Sequence, residues 1–240
     1  MKNLFPFILV LFAMLVSLNS NADFWRKSVR GNGHVIKQTR EVQSFNGIIA
    51  SSGVSVYLFQ GNENKVVVEA DENLQECVIV RVDGSTLKCY IDCDIRKSKV
   101  LNVYVNFTAL NKIEASSGAD VFGETLIITD QLRLNASSAA DIKLETIVGN
   151  VNAKASSGAN ILLKGKAGNL NANASSGSNI NAKGLVANTC ELNASSGSDI
   201  IATVTESIDA KASSGSGIVF YGNPQRQNIN ASSGADIKRK

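Results

Sequence analysis

The chain has 240 residues, and its 24 Lys and Arg against 21 Asp and Glu give a formal net charge of +3 at pH 7. The charges are scattered and no basic run is interleaved with aromatic residues, which excludes nucleic acid from the expected partners. A Ser-His-Asp catalytic set would depend on the single histidine, His34, so the composition gives nucleophilic catalysis no support.

The N-terminus has the parts of a secretory signal peptide. Lys2 is followed by an apolar run over residues 4–18, and Ser20 and Ala22 are the small residues that signal peptidase reads. The sequence therefore predicts a signal peptide over residues 1–22 and export of the remainder to the periplasm, the outer surface or the exterior. No membrane-spanning segment is expected after cleavage.

Residues 23–110 are predicted to form a β-rich N-terminal cap. Antiparallel strands are indicated over residues 65–70 and 100–107, and in the second of these Leu101, Val103, Val105 and Phe107 share one phase. Between them, Asp83-Gly84 is a typical hairpin turn that separates two short runs rich in β-branched residues. The cap is expected to pack continuously on the repeats that follow it.

The chain contains four cysteines, and export would allow some of them to form a disulfide. The hairpin brings Cys77 close to Cys89, so the sequence predicts a Cys77–Cys89 bridge, with Cys93 as the rival partner on the same strand face. Cys190 is expected in the core as a small apolar residue. The Cys-x3-Cys spacing without a nearby histidine gives a zinc site little support, and no metal or other cofactor is predicted.

Residues 111–240 are dominated by one repeat. The tetrapeptide Ala-Ser-Ser-Gly occurs eight times, beginning at Ala50, Ala115, Ala136, Ala155, Ala174, Ala194, Ala212 and Ala231, with Ala139 in place of one glycine. The last seven copies are 18 to 21 residues apart, a spacing that indicates one structural unit stacked on itself. Leucine-rich repeats and calcium-binding nonapeptide repeats fit less well, because the leucine scaffold and the glycine pairs are missing.

The residues around each copy predict strands. The sixth position after the first alanine is always apolar, and small or apolar residues alternate with polar ones around it. We therefore predict an all-β protein: a parallel β-helix, or solenoid, with coils of about 19 residues and a right-handed path, preceded by an antiparallel β cap. The second serine is expected to point inward and the strand to run straight through the motif, while the glycine suits a positive φ.

The fifth position after each alanine supplies the candidate binding residues. They are Asp120, Asp141, Asn160, Asn179, Asp199 and Asp236, which share an outward-facing phase. Stacked coils would place Asp120 and Asp141 about 4.8 Å apart, close enough to raise one carboxyl pKa, bind a cation or act as a carboxylate pair on a glycan. The alternative is a solvated polar row that deters aggregation.

Several segments resemble one known family. They include Phe45-Asn46-Gly47-Ile48, Asp83-Gly84-x-x-Leu87 and Ile113-x-Ala115-Ser116-Ser117-Gly118-Ala119-Asp120-Val121. These segments are similar to the exported bacterial proteins called putative auto-transporter adhesin, head GIN domain. The resemblance implies a two-part all-β molecule with a parallel β-solenoid, located at or outside the cell envelope and without an established activity.

Three functions are compatible with these observations. The first is an exported, non-enzymatic solenoid that presents a flat surface to a carbohydrate or protein of the envelope or exterior. The second is a carbohydrate-active enzyme that uses Asp120 and Asp141, and the third is a purely structural envelope component. A homo-oligomer is left open.

Overall fold

Strands make up nearly all the secondary structure of residues 28–240, the part of the chain that the computed structural model describes. The predicted signal peptide, residues 1–22, lies outside the described residues. The strands are β1 (Ser28–Arg30), β2 (Val35–Arg40), β3 (Gly47–Ser51), β4 (Ser55–Gln60), β5 (Lys65–Asp71), β6 (Val78–Asp83), β7 (Thr86–Ile91), β8 (Asp94–Lys97), β9 (Leu101–Phe107), β10 (Lys112–Ala115), β11 (Asp120–Gly123), β12 (Ile127–Ala136), β13 (Asp141–Ala155), β14 (Asn160–Ala174), β15 (Asn179–Ala194), β16 (Asp199–Ala212), β17 (Gly217–Tyr221), β18 (Arg226–Ala231) and β19 (Asp236–Arg239). A 3₁₀ helix, Glu72–Cys77, follows β5.

From β10 onward every pairing is parallel and joins equivalent residues of successive coils. Ile161 is paired with Ile142 on one side and with Ile180 on the other. The whole column consists of Val56, Val121, Ile142, Ile161, Ile180, Ile200, Ile218 and Ile237. The predicted parallel solenoid with coils of about 19 residues is therefore confirmed.

The Ala-Ser-Ser-Gly motif is a turn and not a continuation of the strand. Ser157 and Gly158 have φ of 52° and 72°, and both are exposed. The Ala159 N–H donates to the Ser156 carbonyl at 3.2 Å, so residues 156–159 have the pattern of a type I′ turn with Ser157 and Gly158 at its centre. The expectation that the second serine points inward and that the strand runs straight was wrong, because two successive left-handed residues turn the chain and direct that serine to solvent.

The turn remains inside the hydrogen-bonded stack. The Ser156 N–H donates to the Ala136 carbonyl of the preceding coil at 3.0 Å, whereas the Gly158 N–H donates to the Ser176 carbonyl of the following coil at 3.1 Å. The left-handed residues reverse one peptide group, yet that group still has a partner. A turn can pair in this way only with another turn of the same shape, which explains why the motif recurs in every coil.

Inward-pointing serines do occur, but two residues later than expected. Ser178, Ser198 and Ser216 are buried at the fourth position after the alanine. The Ser178 hydroxyl donates to the Ala155 carbonyl at 2.8 Å and accepts from the Ser175 N–H at 3.1 Å. The desolvation of these hydroxyls is therefore offset by one hydrogen bond within the turn and one to the preceding coil.

The cap is a mixed sheet and not a purely antiparallel one. The pairs β2–β5, β5–β9 and β6–β7 are antiparallel, and the last of these is the predicted hairpin at Asp83-Gly84. By contrast, β3 and β4 pair in parallel with β7 and β9 on one side and with β10 and β11 on the other. They must do so because they carry the first repeat copy, so the core column of the solenoid continues into the cap.

A stack of aromatic rings crosses the junction between cap and solenoid. The Tyr57 ring lies 5.3 Å from the rings of both Tyr104 and Phe122, measured between centroids. The Lys37 ammonium lies over Tyr104 and the Lys143 ammonium over Phe122, at 5.2 and 5.3 Å from the ring centroids. The two cations close both ends of the stack, which stabilises the attachment of the cap to the first coils.

The disulfide joins Cys77 to Cys93, with the two Cα atoms 5.4 Å apart, so the predicted Cys77–Cys89 bridge was wrong. The hairpin register sets Cys89 opposite Val80, three residues beyond Cys77, and buries its side chain in the core. Cys89 and Cys190 are both free and buried, as expected for Cys190. Burial raises the pKa of each of these thiols to about 12, which makes them unreactive.

Candidate functional site

The six predicted site residues lie in one column on the outer surface. The register pairs Asp120 with Asp141, then continues through Asn160, Asn179 and Asp199 to Gly217 and Asp236. We call this column the acidic row. Gly217 interrupts it, and the Asp199 carboxylate lies beside the position that a Cβ of residue 217 would occupy, with Oδ1 2.5 Å away.

Carboxylates of the acidic row form hydrogen bonds and ion pairs with other members of the row and with neighbouring lysines. The Asn160 side-chain amide donates to Asp141 Oδ1 at 2.9 Å, and the Lys143 ammonium lies 3.3 Å from Asp141 Oδ2. Asp236 pairs in the same way with Lys238. These contacts leave Asp141 with both carboxylate oxygens engaged, as in a structural polar ladder.

Asp120 and Asp141 have different surroundings. Burial raises the pKa of Asp120, the negative charge of Asp141 raises it further, and the Lys143 ammonium acts in the opposite direction. Asp120 therefore holds a proton more readily than an ordinary aspartate, whereas Asp141 contacts both a lysine and an amide. The two carboxyls therefore have unequal surroundings, but the site is in open contact with solvent, which disfavours acid–base catalysis.

We expect Asp120→Asn to stabilise the protein at pH 7 by about 0.5 kcal/mol, a value reduced for solvent screening. A carboxyl whose pKa is raised on folding favours the folded state below its unfolded value of 3.8, and that contribution is lost as the pH rises through the folded pKa. The advantage of the amide should therefore disappear as the pH falls below about 4. Urea denaturation of both proteins from pH 3 to pH 7 checks this; a less stable variant at pH 7 would contradict it.

A long groove on another face of the solenoid was not predicted from the sequence. It encloses about 1220 Å³ and is lined by residues from every coil between β12 and β18. We call it the axial groove. Its main polar lining consists of Gln131, Arg133, Asn150, Asn152, Asn169, Asn171, Thr189, Glu191, Ser207, Asp209, Arg226 and Asn228, which lie five and three residues before each turn alanine.

The axial groove follows a bend in the coils. The alternation of buried and exposed side chains breaks at Gly149-Asn150, where two consecutive residues face solvent. A Cβ at Gly149 would lie 2.8 Å from the Asp130 carbonyl oxygen, and one at Gly168 would lie 2.6 Å from the Gly149 carbonyl oxygen. Neighbouring coils thus approach so closely at the bend that a side chain there would collide with backbone.

Amide side chains connect successive coils along the groove. The Asn169 amide donates to Asn150 Oδ1 at 2.6 Å, and the Asn171 amide donates to Glu191 Oε2 at 3.0 Å. The charged lining residues balance, with Lys112, Arg133 and Arg226 positive and Asp130, Glu191 and Asp209 negative. None of the lining residues is aromatic. The surface is therefore a neutral array of hydrogen-bonding groups that repeats about every 4.8 Å.

The sequence does contain a signal for this surface. Asn150 and Asn152, like Asn169 and Asn171, are two positions apart and precede the turn by the same distance in successive repeats. Such spacing indicates two neighbouring outward columns of amides. What the sequence does not indicate is the bend that makes the columns concave.

Two further properties concern residues 28–240 alone. No group of three or more His, Cys, Asp or Glu in this range is arranged to hold a metal ion. No helix in the same range has the length and apolar character that crossing a membrane requires.

The fold and its repeated polar surface define a class: parallel β-solenoids with a mixed β cap on the first coil and a long outward face of stacked side chains. Within that class, the chain belongs to the family described as "Putative auto-transporter adhesin, head GIN domain", which matches residues 44–224. The family resemblance seen in the sequence is thereby confirmed.

Three solved structures show the same fold. A "putative adhesin" from Bacteroides fragilis is 24% identical, with a TM-score of 0.82 over 88% of this chain and 100% of that one. A "putative lipid binding protein" from Parabacteroides distasonis is 18% identical, with a TM-score of 0.74 over 89% and 100%. A "putative adhesin" from Parabacteroides merdae is 18% identical, with a TM-score of 0.72 over 89% and 99%. No curated protein sequence matches this chain.

Proposed function

We propose that this protein is an exported, non-enzymatic binding module whose axial groove receives a neutral, hydroxyl-rich polymer, an envelope or extracellular glycan, laid along the solenoid axis. The observation that carries the proposal is the groove itself. It crosses every coil from β12 to β18, and its amide and hydroxyl groups recur with the spacing of the coils.

The chemistry of the lining favours a glycan over other extended ligands. Balanced charges give no net attraction to a polyanion. The apolar residues of the lining are buried in the core and present little surface to a lipid chain; they are Leu132, Val151, Leu170, Cys190 and Ile208. Asn, Gln, Thr and Ser side chains both donate and accept hydrogen bonds, as sugar hydroxyls do. Because no aromatic ring contributes stacking, affinity would come from many weak contacts summed along the polymer.

Export is supported by the disulfide. The Cys77–Cys93 bridge closes part of the cap, and a bridge of this kind would be reduced in a cytoplasm but persists in the periplasm or outside the cell. The family to which the chain belongs is described as adhesin-like, which agrees with a position at the envelope or beyond it.

The test is a glycan array followed by calorimetric titration of any ligand found. We expect Asn169→Ala with Asn171→Ala to weaken binding by about tenfold or more, because two amides that face the polymer are lost. The matched control is Asn160→Ala, which removes an exposed amide from the same strand but from the acidic row. The control should bind within about twofold of the unmodified protein, a change smaller than one hydrogen bond.

Four results would contradict the proposal. The first is equal loss of binding in the groove variant and the control, and the second is binding only to proteins. The third is release of reducing sugar from a bound glycan that disappears in Asp141→Asn, which would favour the enzymatic alternative on Asp120 and Asp141. The fourth is a protein that binds no polymer, which would favour a purely structural role.

A further inference from the structure

Within residues 28–240, the last coil of the solenoid has no strand on its outer side. β18 pairs only with β16, and β19 pairs only with β17, so each has a strand on one side. No strand among residues 28–240 pairs with their outer edges. The opposite end is different, because β7 and β9 of the cap cover β3 and β4.

The core is correspondingly uncovered at the open end. Ile229 is 42% exposed, whereas Ala210, its partner in the preceding coil, is fully buried. Ile237 is partly exposed, whereas its partner Ile218 is 1% exposed. Inward-pointing apolar residues without a layer above them are the feature that capping units of repeat proteins normally cover.

The backbone of β19 offers free hydrogen-bonding groups at defined positions. The N–H groups of Asp236 and Lys240 donate to the carbonyls of Ser216 and Phe220 in the preceding coil, at 3.0 and 2.9 Å. The backbone N–H and C=O groups of successive strand residues point alternately to the two neighbouring strands. Because those of Asp236 point to the preceding coil, the N–H and C=O groups of Ile237 point away from the molecule. Ile237 is therefore placed to exchange two hydrogen bonds with one residue of an added antiparallel strand.

The charges beside Ile237 indicate that the added strand is β19 of a second copy of the chain. Asp236 and Lys238 are exposed and flank Ile237 on the outer face. When β19 pairs antiparallel with a copy of itself about Ile237, Asp236 lies opposite Lys238 of the partner subunit and Lys238 lies opposite Asp236 of the partner subunit. Directly opposite residues of unlike charge attract one another across an antiparallel pair.

We infer that the protein forms a two-fold symmetric dimer through its open ends, with β19 as the central antiparallel contact. A second copy is the fitting occupant because the sequence around Ile237 is self-complementary in charge. The association must be tail to tail, because the first coil is already covered by the cap and cannot receive another copy. Such a contact closes on itself and covers the outer edge of β19.

Sedimentation equilibrium of the exported chain measures this association. We expect twice the monomer mass, and we expect Asp236→Lys to weaken the dimer by about tenfold or more, because two attractions become two repulsions. Asp236→Lys combined with Lys238→Asp should restore the dissociation constant to within about threefold, because the opposite charges again face each other.

The matched control is Asp141→Lys, which alters the same column next to a lysine, Lys143, but in an interior coil. It should leave the dimer intact. Ile237→Pro is a second edge variant, since it deletes an N–H that has no partner within the monomer. It should remain folded by circular dichroism and sediment as a monomer.

A monomer at all accessible concentrations would overturn the inference. So would a dimer that is insensitive to Asp236→Lys, or one that the double exchange does not restore. These outcomes do not depend on whether the axial groove binds a glycan.

Discussion

Replacing Ile161 by alanine is expected to lower the free energy of unfolding by about 3 kcal/mol, one of the largest effects of any single substitution in the solenoid. Ile161 is only 1% exposed and lies in a column between Ile142 and Ile180. Truncation removes its buried methyl groups and leaves a cavity that the coils above and below cannot fill, because their positions are fixed by the parallel ladder.

Urea denaturation measures this loss, with Leu162→Ala as the control. Leu162 is the next residue of the same strand, but its side chain faces outward and is only partly buried. We expect the control to lose less than about 1 kcal/mol. Equal losses in the two variants would mean that the alternation of inward and outward side chains is not as described.

A double-mutant cycle extends the same measurement. Ile161→Ala and Ile180→Ala involve residues in contact and should show a coupling energy of about 0.5 kcal/mol or more. Ile161→Ala and Ile218→Ala involve residues three coils apart, and their effects should add. Additivity in the first pair or coupling in the second would contradict direct stacking.

Replacing Gly165 by alanine should cost about 3 kcal/mol or more. Gly165 has a φ of +108°, and a Cβ at this position would lie 2.1 Å from the Thr146 carbonyl oxygen. Thr146 is itself fixed, because it is buried and its hydroxyl donates to the Ile127 carbonyl at 2.8 Å. Neither backbone can therefore move without breaking the ladder.

Gly158→Ala is the control for this prediction. Gly158 also has a positive φ, +72°, but nothing lies within 4 Å of the position that a Cβ would occupy. Ala139 occupies the equivalent place in another coil with a φ of 59°. We expect a loss of about 1 kcal/mol from the left-handed conformation alone. Thermal or urea unfolding in which Gly158→Ala loses more free energy of unfolding than Gly165→Ala would contradict the close approach of the two coils.

The stacking of the coils could be predicted because several independent signals agree. The apolar residue six positions after each alanine, exemplified by Ile142, recurs with the turn motif and with period-two alternation. A strand with this pattern has one way to bury its apolar side when the next repeat is nearly identical. The acidic row follows from the same register, since Asp120 and Asp141 share a phase.

The path of the turn could not be predicted in the same way. Alanine and serine are small enough to fit an inward position or a turn, so alternation alone does not distinguish the two for Ser157. The disulfide prediction was wrong for a related reason. The hairpin itself is present, but its register pairs Cys89 with Val80, so Cys77 lies beyond the position opposite Cys89. The axial groove depends on the bend at Gly149, and a bend is not a property of side-chain periodicity.

Distances between spin labels along one outward column test the stacking of the coils most directly. One label is placed at Asn135→Cys, and the second at Asn193→Cys, Lys211→Cys or Asn230→Cys, which are three, four and five coils further along the same column. The native free thiols, Cys89 and Cys190, are buried and remain unlabelled. Stacked coils predict distances of about 14, 19 and 24 Å, rising by one coil spacing at each step. Distances that do not increase in that order, or that change by unequal amounts, would contradict the stacking.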